Sequence, residues 1–466
     1  MKSIIYIKRI VAITIYCCLF SCEDFVEVDV PNSKIVSETV FNNDETAIAA
    51  MKGIYNELYR ASFSRGDRTS VTVLSGLSSD NLEVIGTNNL SELEFGQNEI
   101  LPSNANNLDL WSSAYNIIYM ANSLLEGVEN SQNMTAIVSD RLNGEAKFVR
   151  AFAYFYLVNL YGEVPLILTT DYQKNATAER TPIDRIQEQI IADLKQASEV
   201  LEDSYMDGER TYINSYVAKA LLARAYLYQK EWMEAESLSS EVIVQTATYD
   251  ILKDFDQVFL ANSQEAIWQL SPLGRGNSFT NTNEGDMFIY DTQSITARFK
   301  LSDDLVDSFS EGDKRLLNWI GYNGERGLYF SHKYKIRNST AQVTEYSMVL
   351  RLAEQFLIRA EARAMQGKLA AAIADVDIIR GRAGIPLIAT ANPGINKEAL
   401  LDTILKERRR ELFTEWGHRW NDIRRNEMAS EVFGAKNPLW EDTDILYPIP
   451  EGEREKNPNL EQNTGY

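Results

Sequence analysis

The 466-residue chain carries 67 Asp and Glu against 46 Lys and Arg, a formal charge of −21 at pH 7. A surface this acidic repels phosphate backbones and anionic lipid heads, which excludes nucleic-acid binding and polybasic membrane contacts and leaves neutral ligands as the better fit. With 44% hydrophobic residues the chain can bury a large core, and beyond the first 21 residues no segment reaches transmembrane length.

Lys2, Lys8 and Arg9 open the chain, and the run from Ile10 to Phe20 is apolar apart from Thr14, Cys17 and Cys18. A stable bilayer span needs about 20 residues, so residues 1–21 read as a secretory leader cut after Ser21. Leu19-Phe20-Ser21-Cys22 resembles a bacterial lipobox, which implies that Cys22 is acylated and becomes the first mature residue. Cys17 and Cys18 depart with the leader, leaving Cys22 without a disulfide partner. Residues 22–32 form an acidic tether, and residues 33–466 read as one body without a long linker.

From Asn42 to Arg60, Ala47, Ile48, Met51, Ile54, Tyr55 and Leu58 recur at helical spacing behind Asp44-Glu45. Ala61 to Asn107 is rich in Ser, Gly, Asn and Asp, shows no sustained stripe, and is predicted to be irregular. Helices are predicted for Leu110–Val128 and Asp140–Tyr161, the second apolar nearly all round and therefore in the core, with Gly162 and Pro165 as its stop. Ile183–Leu201 is amphipathic. Leu222-Ala223, Tyr226, Trp232, Ala235 and Val242 then resemble a tetratricopeptide helix pair, and Ala360, Leu369 and Ala372 repeat its offsets downstream. Between these units, Asp250 to Thr344 carries short strand-like pieces such as Ala266–Leu270. A last helix is predicted from Lys397 to about Arg425, followed by an extended, turn-rich tail from Ile445 to Tyr466. Trp111 and Trp268 lie inside periodic elements and read as core. The fold class is mainly α: tetratricopeptide-like pairs in one body, with a loop-rich face and a few short strands.

Motifs for chemistry are few. His332 and His418 are the only histidines, which argues against histidine-based metal sites, and neither a metal nor a cofactor is predicted. Gly321, Gly324 and Gly327 punctuate a loop. Arg65-Gly66-Asp67 reads as a polar loop, and Asp303-Asp304 and Glu311-Gly312-Asp313 read as turns, lacking the alternating oxygens of a calcium loop. No catalytic motif surrounds any carboxylate pair, so the chain is not read as an enzyme. The basic, aromatic stretch Arg408–Arg425, with Trp416 and Trp420, reads as a packed helix whose arginines meet buried carboxylates.

Several blocks together carry a resemblance. Phe148-Val149-Arg150-Ala151-Phe152 leads to Leu160-Tyr161-Gly162-Glu163-Val164-Pro165-Leu166. Arg351-Leu352-Ala353-Glu354 precedes Ala360-Glu361-Ala362, and Glu407-Arg408 runs on to Glu415-Trp416-Gly417-His418-Arg419-Trp420-Asn421-Asp422. The tail holds Tyr447-Pro448-Ile449-Pro450, Asn457-Pro458-Asn459-Leu460 and Gln462-Asn463-Thr464-Gly465-Tyr466. In this order they resemble the SusD/RagB family. The resemblance implies a surface-exposed outer-membrane lipoprotein of Bacteroidota-type bacteria that captures a nutrient, most often a glycan, for a SusC-like TonB-dependent transporter. Glu23-Asp24 after Cys22 is similar to the surface-export signals of such lipoproteins.

Ligand contacts are expected in two variable regions, about 61–107 and 271–345. A sugar needs an exposed flat aromatic beside Asn, Asp or Arg groups. The first region offers Asp80, Asn81, Asn88, Asn89 and Phe95. The second offers Phe279, Tyr290, Trp319, Tyr322 and Tyr329, with Asn318 and Asn323 alongside, and Trp319 with Tyr322 suggests a stacking platform. Peptide capture, a two-carboxylate glycosidase and a plain helical scaffold are the alternatives.

Overall fold

Asn43 accepts a hydrogen bond from the backbone N–H of Thr46 at 3.0 Å, and Asp44 and Glu45 fill the first turn, so the first helix starts where its sequence signals place it. The computed structural model describes residues 40–272, 281–290, 298–337, 339 and 341–466. Helices of eight residues or more are α1 (Asp44–Arg60), α2 (Val71–Ser78), α3 (Leu90–Gln97), α4 (Ala105–Asn130), α5 (Ala136–Tyr161), α6 (Ile183–Val200), α7 (Ser215–Tyr228), α8 (Trp232–Ile243), α9 (Leu352–Met365), α10 (Leu369–Ala383), α11 (Lys397–Leu412) and α12 (His418–Arg425). The strands are β1 (Leu82–Val84), β2 (Ala266–Leu270), β3 (Phe299–Leu301), β4 (Ile320–Asn323), β5 (Leu328–Ser331) and β6 (Ser347–Arg351).

Helices α4 to α8 pack each on the next, and α8 then packs on α9 although more than a hundred residues of chain separate them. The helical stack is therefore continuous, with the strand-bearing segment as an excursion from it. The internal repeat is real in three dimensions. Gln229–Glu231 joins α7 to α8, and Gln366–Lys368 joins α9 to α10, each with its middle residue, Lys230 or Gly367, at positive φ. Ala235 and Ala372, at matching offsets, are fully buried where the paired helices approach.

Helix α5 supplies the centre of the core. The Phe152 ring meets Trp268 at 5.1 Å, Tyr156 at 5.2 Å and Trp416 at 5.2 Å, all near edge to face. Such pairs each add about 0.5–1.5 kcal/mol beyond their buried area. Trp111 and Trp268 are buried as expected. The helix stops at Gly162, whose φ is 73°, a conformation that costs glycine little.

Two expectations fail. The stretch Ala61–Asn107 is not irregular throughout, since it holds α2, β1, α3 and the start of α4. Every residue of α2 is buried, so it has no polar face and leaves no periodic stripe. The helix expected over Lys397–Arg425 is broken at Phe413–Gly417, where Thr414, Trp416 and Gly417 have positive φ. Tertiary contacts outweigh helical propensity there. Trp416 Nε1 donates to the Met348 carbonyl at 2.7 Å, and any Cβ at Gly417 would collide with Ser75 of α2. The arginines of this stretch meet carboxylates as expected: Arg408 pairs with Asp422 at 2.8 Å, and Arg425 with Glu361 and Asp422. Among the described residues, no helix is long and apolar enough to cross a membrane.

Candidate functional site

The two variable regions meet. Strand β1 pairs antiparallel with β3, with Leu82 opposite Leu301 and Val84 opposite Phe299. The Arg65-Gly66-Asp67 loop lies against residues 281–286: Asn283 Nδ2 donates to the Arg65 carbonyl at 2.7 Å, and the Tyr59 hydroxyl donates to the Asn281 carbonyl at 3.4 Å. Arg65 closes its own loop on Asp67 at 2.7 Å.

Glu284 lies buried under that loop, and Gly66, at φ 79°, has no room for a Cβ because the Glu284 carboxyl fills the space. Burial is the dominant influence on this acid and pushes it up to about 7, against the lowering effect of the Ser347 hydroxyl that donates to it; Asp67 and Glu345 add to the rise. The folded value exceeds the ordinary 4.5, so the stabilising contribution is complete below about pH 4.5 and is lost as pH rises through 7. Glu145, pushed up to about 7 chiefly by burial, acts in the same direction. Urea titrations of the wild type should lose about 2–3 kcal/mol per such group between pH 5 and pH 8. Glu284→Gln should remove roughly half of that slope; an unchanged slope would refute the assignment.

Exposed aromatic surface stands on the β4–β5 hairpin. Tyr322 is 58% exposed, and its ring lies 4.8 Å from half-buried Tyr329, its direct cross-strand partner. Alternation sends the next pair to the other face, where Phe330 covers Gly321 so closely that a Cβ could not fit. Tyr290 lies behind it, 6.4 Å from Phe330, with the Arg326 guanidinium 5.3 Å from its ring centre. Arg326 carried no signal in the sequence beyond its glycine-rich context; it is a cation exposed at the hairpin tip.

The other candidates fall differently. Trp319 is fully buried and ends the helix Lys314–Trp319, packed on Phe255 at 5.0 Å and Phe259 at 5.7 Å. The switch from helix to strand at Ile320 turns Trp319 inward and Tyr322 outward, so the two form no shared platform. Phe95 is fully buried against Tyr447, ring centres 5.2 Å apart. Tyr290 is buried rather than exposed. Asp80 and Asn81 clamp the end of α2 to α11 and α12: Arg419 Nε reaches Asp80 at 2.7 Å, and Arg409 donates to Asn81 Oδ1 at 2.9 Å. Burial favours a protonated Asp80, but the hydrogen-bonded Arg419, with Arg409 and Lys436, outweighs it and holds the acid well below the usual carboxylate range. Asp304 joins this cluster through Arg409 at 2.8 Å, and Asp313 is bound to Arg315 at 2.8 Å. Asn88 is exposed and Asn89 half-buried. Asn318 donates to the Lys314 carbonyl, and Asn323 accepts from the Arg326 N–H within the hairpin turn. Cys22 and Phe279 lie outside the described residues.

A concavity of about 290 Å³ elsewhere is lined by Lys52, Tyr55, Asn56, Tyr212, Gln269 and Tyr346 among others. The sequence marked Tyr55 only as one apolar position of α1.

A family model described as starch-binding, associating with the outer membrane, matches residues 24–227, and the SusD family model matches residues 320–466. A SusD-like protein of Formosa agariphila, P2, is 26% identical over 98% of this chain and 99% of its own length. The starch-binding protein SusD of Bacteroides thetaiotaomicron is 22% identical over 73% of this chain and 75% of its own. A solved laminarin-binding SusD-like protein is 25% identical, superposes with a TM-score of 0.76, and covers 91% of this chain and 100% of that one. With family matches in both halves and full-length relatives of the same kind, the chain belongs to the SusD/RagB family.

Proposed function

We propose that this protein captures a glycan at the cell surface and passes it to a SusC-like TonB-dependent transporter, acting by binding and not by catalysis. The observation that carries this reading is the exposed Tyr322 ring backed by Tyr329, on a hairpin whose β5 packs against β3, the strand that pairs with β1 of the other variable region. A sugar ring laid on such a pair covers its C–H face, while neighbouring amides meet the hydroxyl rim. The names of the relatives, starch-binding and laminarin-binding, support a glucan or similar neutral glycan as the ligand class. Cys22, acylated after removal of residues 1–21, is the proposed outer-membrane anchor, with residues 22–32 as the tether and residues 33–466 as one body. An open site of this kind binds at roughly micromolar to millimolar Kd, about −8 to −4 kcal/mol.

The test is retardation of the soluble form, starting after Cys22, in gels cast with a panel of neutral polysaccharides, followed by calorimetry. Tyr322→Ala should weaken binding about tenfold or more, about 1.4 kcal/mol, with an unchanged melting temperature. Binding undiminished by Tyr322→Ala would remove the hairpin as the site. Release of shorter sugars from a bound glycan would refute the non-catalytic reading, and a Cys22→Ala protein still held in membranes would refute the anchor.

A further inference from the structure

Buried arginines in this protein meet acids or backbone carbonyls almost everywhere. Arg150 pairs with Asp193 at 2.8 Å, Arg224 with Glu354 at 2.6 Å and Arg408 with Asp422 at 2.8 Å, while Arg210 donates to the carbonyls of Ala266 and Thr248. Arg424, half-buried in the last turn of α12, departs from this pattern. Among the described residues its guanidinium has one hydrogen-bond partner, Asn159 Oδ1, 3.2 Å from Nη1. No acid among them compensates its charge, and burial alone pulls its pKa down to about 10.

Arg424 lines a pocket of about 490 Å³ together with Asn159, Gln187 of α6, Tyr228 at the end of α7 and Ser430. The Tyr228 hydroxyl is sealed from solvent, so the pocket meets other atoms of that side chain. Of the other charged groups of the wall, Asp442 alone lacks a partner of opposite charge among the described residues. Arg425 is held by Glu361 and Asp422, Asp442 accepts from the Ser430 hydroxyl at 2.5 Å, and exposed Glu427 lies 3.7 Å from Lys230. The pocket thus presents one uncompensated guanidinium, with its planar fork of donors, beside the side chains of Asn159 and Gln187.

We propose that this pocket is a second binding site, for a small organic carboxylate of hexuronate size, its acid group clasped by Arg424. Arg424 forms the charge-assisted, bidentate contact that guanidinium and carboxylate geometry favour, and Gln187 and Asn159 meet the hydroxyls of the ring. The site is separate from the hairpin and uses a different chemistry, so either reading can fail alone.

The experiment is calorimetry at low salt with glucuronate, glucose and inorganic sulfate as probes, on the soluble form starting after Cys22. Glucuronate should bind in the millimolar range or tighter and weaken with added salt, with glucose at least about tenfold weaker. Arg424→Gln should abolish glucuronate binding, Arg424→Lys should retain part of it, and Tyr322→Ala should leave it unchanged. Glucuronate affinity equal in wild type and Arg424→Gln, no binding at about 10 mM, or sulfate bound while glucuronate is excluded would each overturn the proposal. A role limited to offsetting the α12 helix dipole would show as lost stability in Arg424→Gln with binding intact, and that also overturns it.

Discussion

Arg351→Met is expected to cost about 3–5 kcal/mol of stability or to prevent folding, the loss that follows when one partner leaves a buried ionic cluster. Arg351 is almost wholly inaccessible. Its guanidinium reaches Glu265 at 3.0 Å, Glu411 at 2.6 Å and Glu415 at 2.7 Å, and donates to the Glu411 carbonyl at 2.6 Å. Arg382 shares Glu265 and Glu411, Arg315 joins Glu411 to Glu407 and Asp313, and Lys333 holds Glu415. Burial would raise the Glu411 pKa, but Arg382, Arg351 and Arg315 outweigh it and hold the acid far below its ordinary range. Methionine fills the stem's volume yet leaves three carboxylates short of a partner. Arg351→Lys should recover only part of the loss, because a point charge cannot span three acids as the planar fork does. Urea denaturation measures both variants, and a loss under about 1 kcal/mol for Arg351→Met would refute the role given to the cluster.

Trp319→Ala should cost about 3–5 kcal/mol as well, by opening a large cavity. The indole fills the space between Phe255 and Phe259, and its ring lies 4.9 Å from Lys333 Nζ, 5.6 Å from the Arg351 guanidinium and 5.3 Å from that of Arg382. Its loss strips an apolar, cation-facing wall from the ionic cluster. The contrast with Tyr322→Ala is diagnostic. The first change should lower the melting temperature and leave ligand affinity per folded molecule intact, and the second should do the reverse. Equal loss of affinity in Trp319→Ala at a temperature where it remains folded would restore Trp319 to the site.

What the sequence reveals and hides follows from the range of the contacts. The aromatic run of α5 and the matched alanines of the helix pairs are local patterns, and they are legible at once. Helix α2 is hidden because burial on every side erases the polar stripe that periodicity needs. The break at Phe413–Gly417 is hidden because its causes, Ser75 and Met348, lie far away in the chain. Trp319 and Tyr322 look like one platform because the helix between Lys314 and Trp319 is too short to announce itself, and its end decides which way each ring points. Asp80 looks like a ligand group since nothing local shows that Arg419, more than three hundred residues later, occupies it.

The β4–β5 hairpin joins two mechanical regimes. Its root is welded into the interior: Ser331 shares a hydrogen bond with Thr414 at 2.9 Å, the His332 N–H donates to the Trp319 carbonyl at 2.8 Å, and Lys333 Nζ donates to the Glu411 carbonyl at 2.8 Å. The backbone of its tip closes on itself through the Gly327 N–H on the Asn323 carbonyl at 2.8 Å, Gly324 to Gly327 are exposed, and Arg326 reaches out to the Tyr290 ring. Side chains at the tip can therefore be exchanged without disturbing the ions that anchor the root. Under the proposed function, point changes at exposed positions such as Tyr322 would retune the ligand contact while the rigid root keeps the hairpin aimed in the same direction.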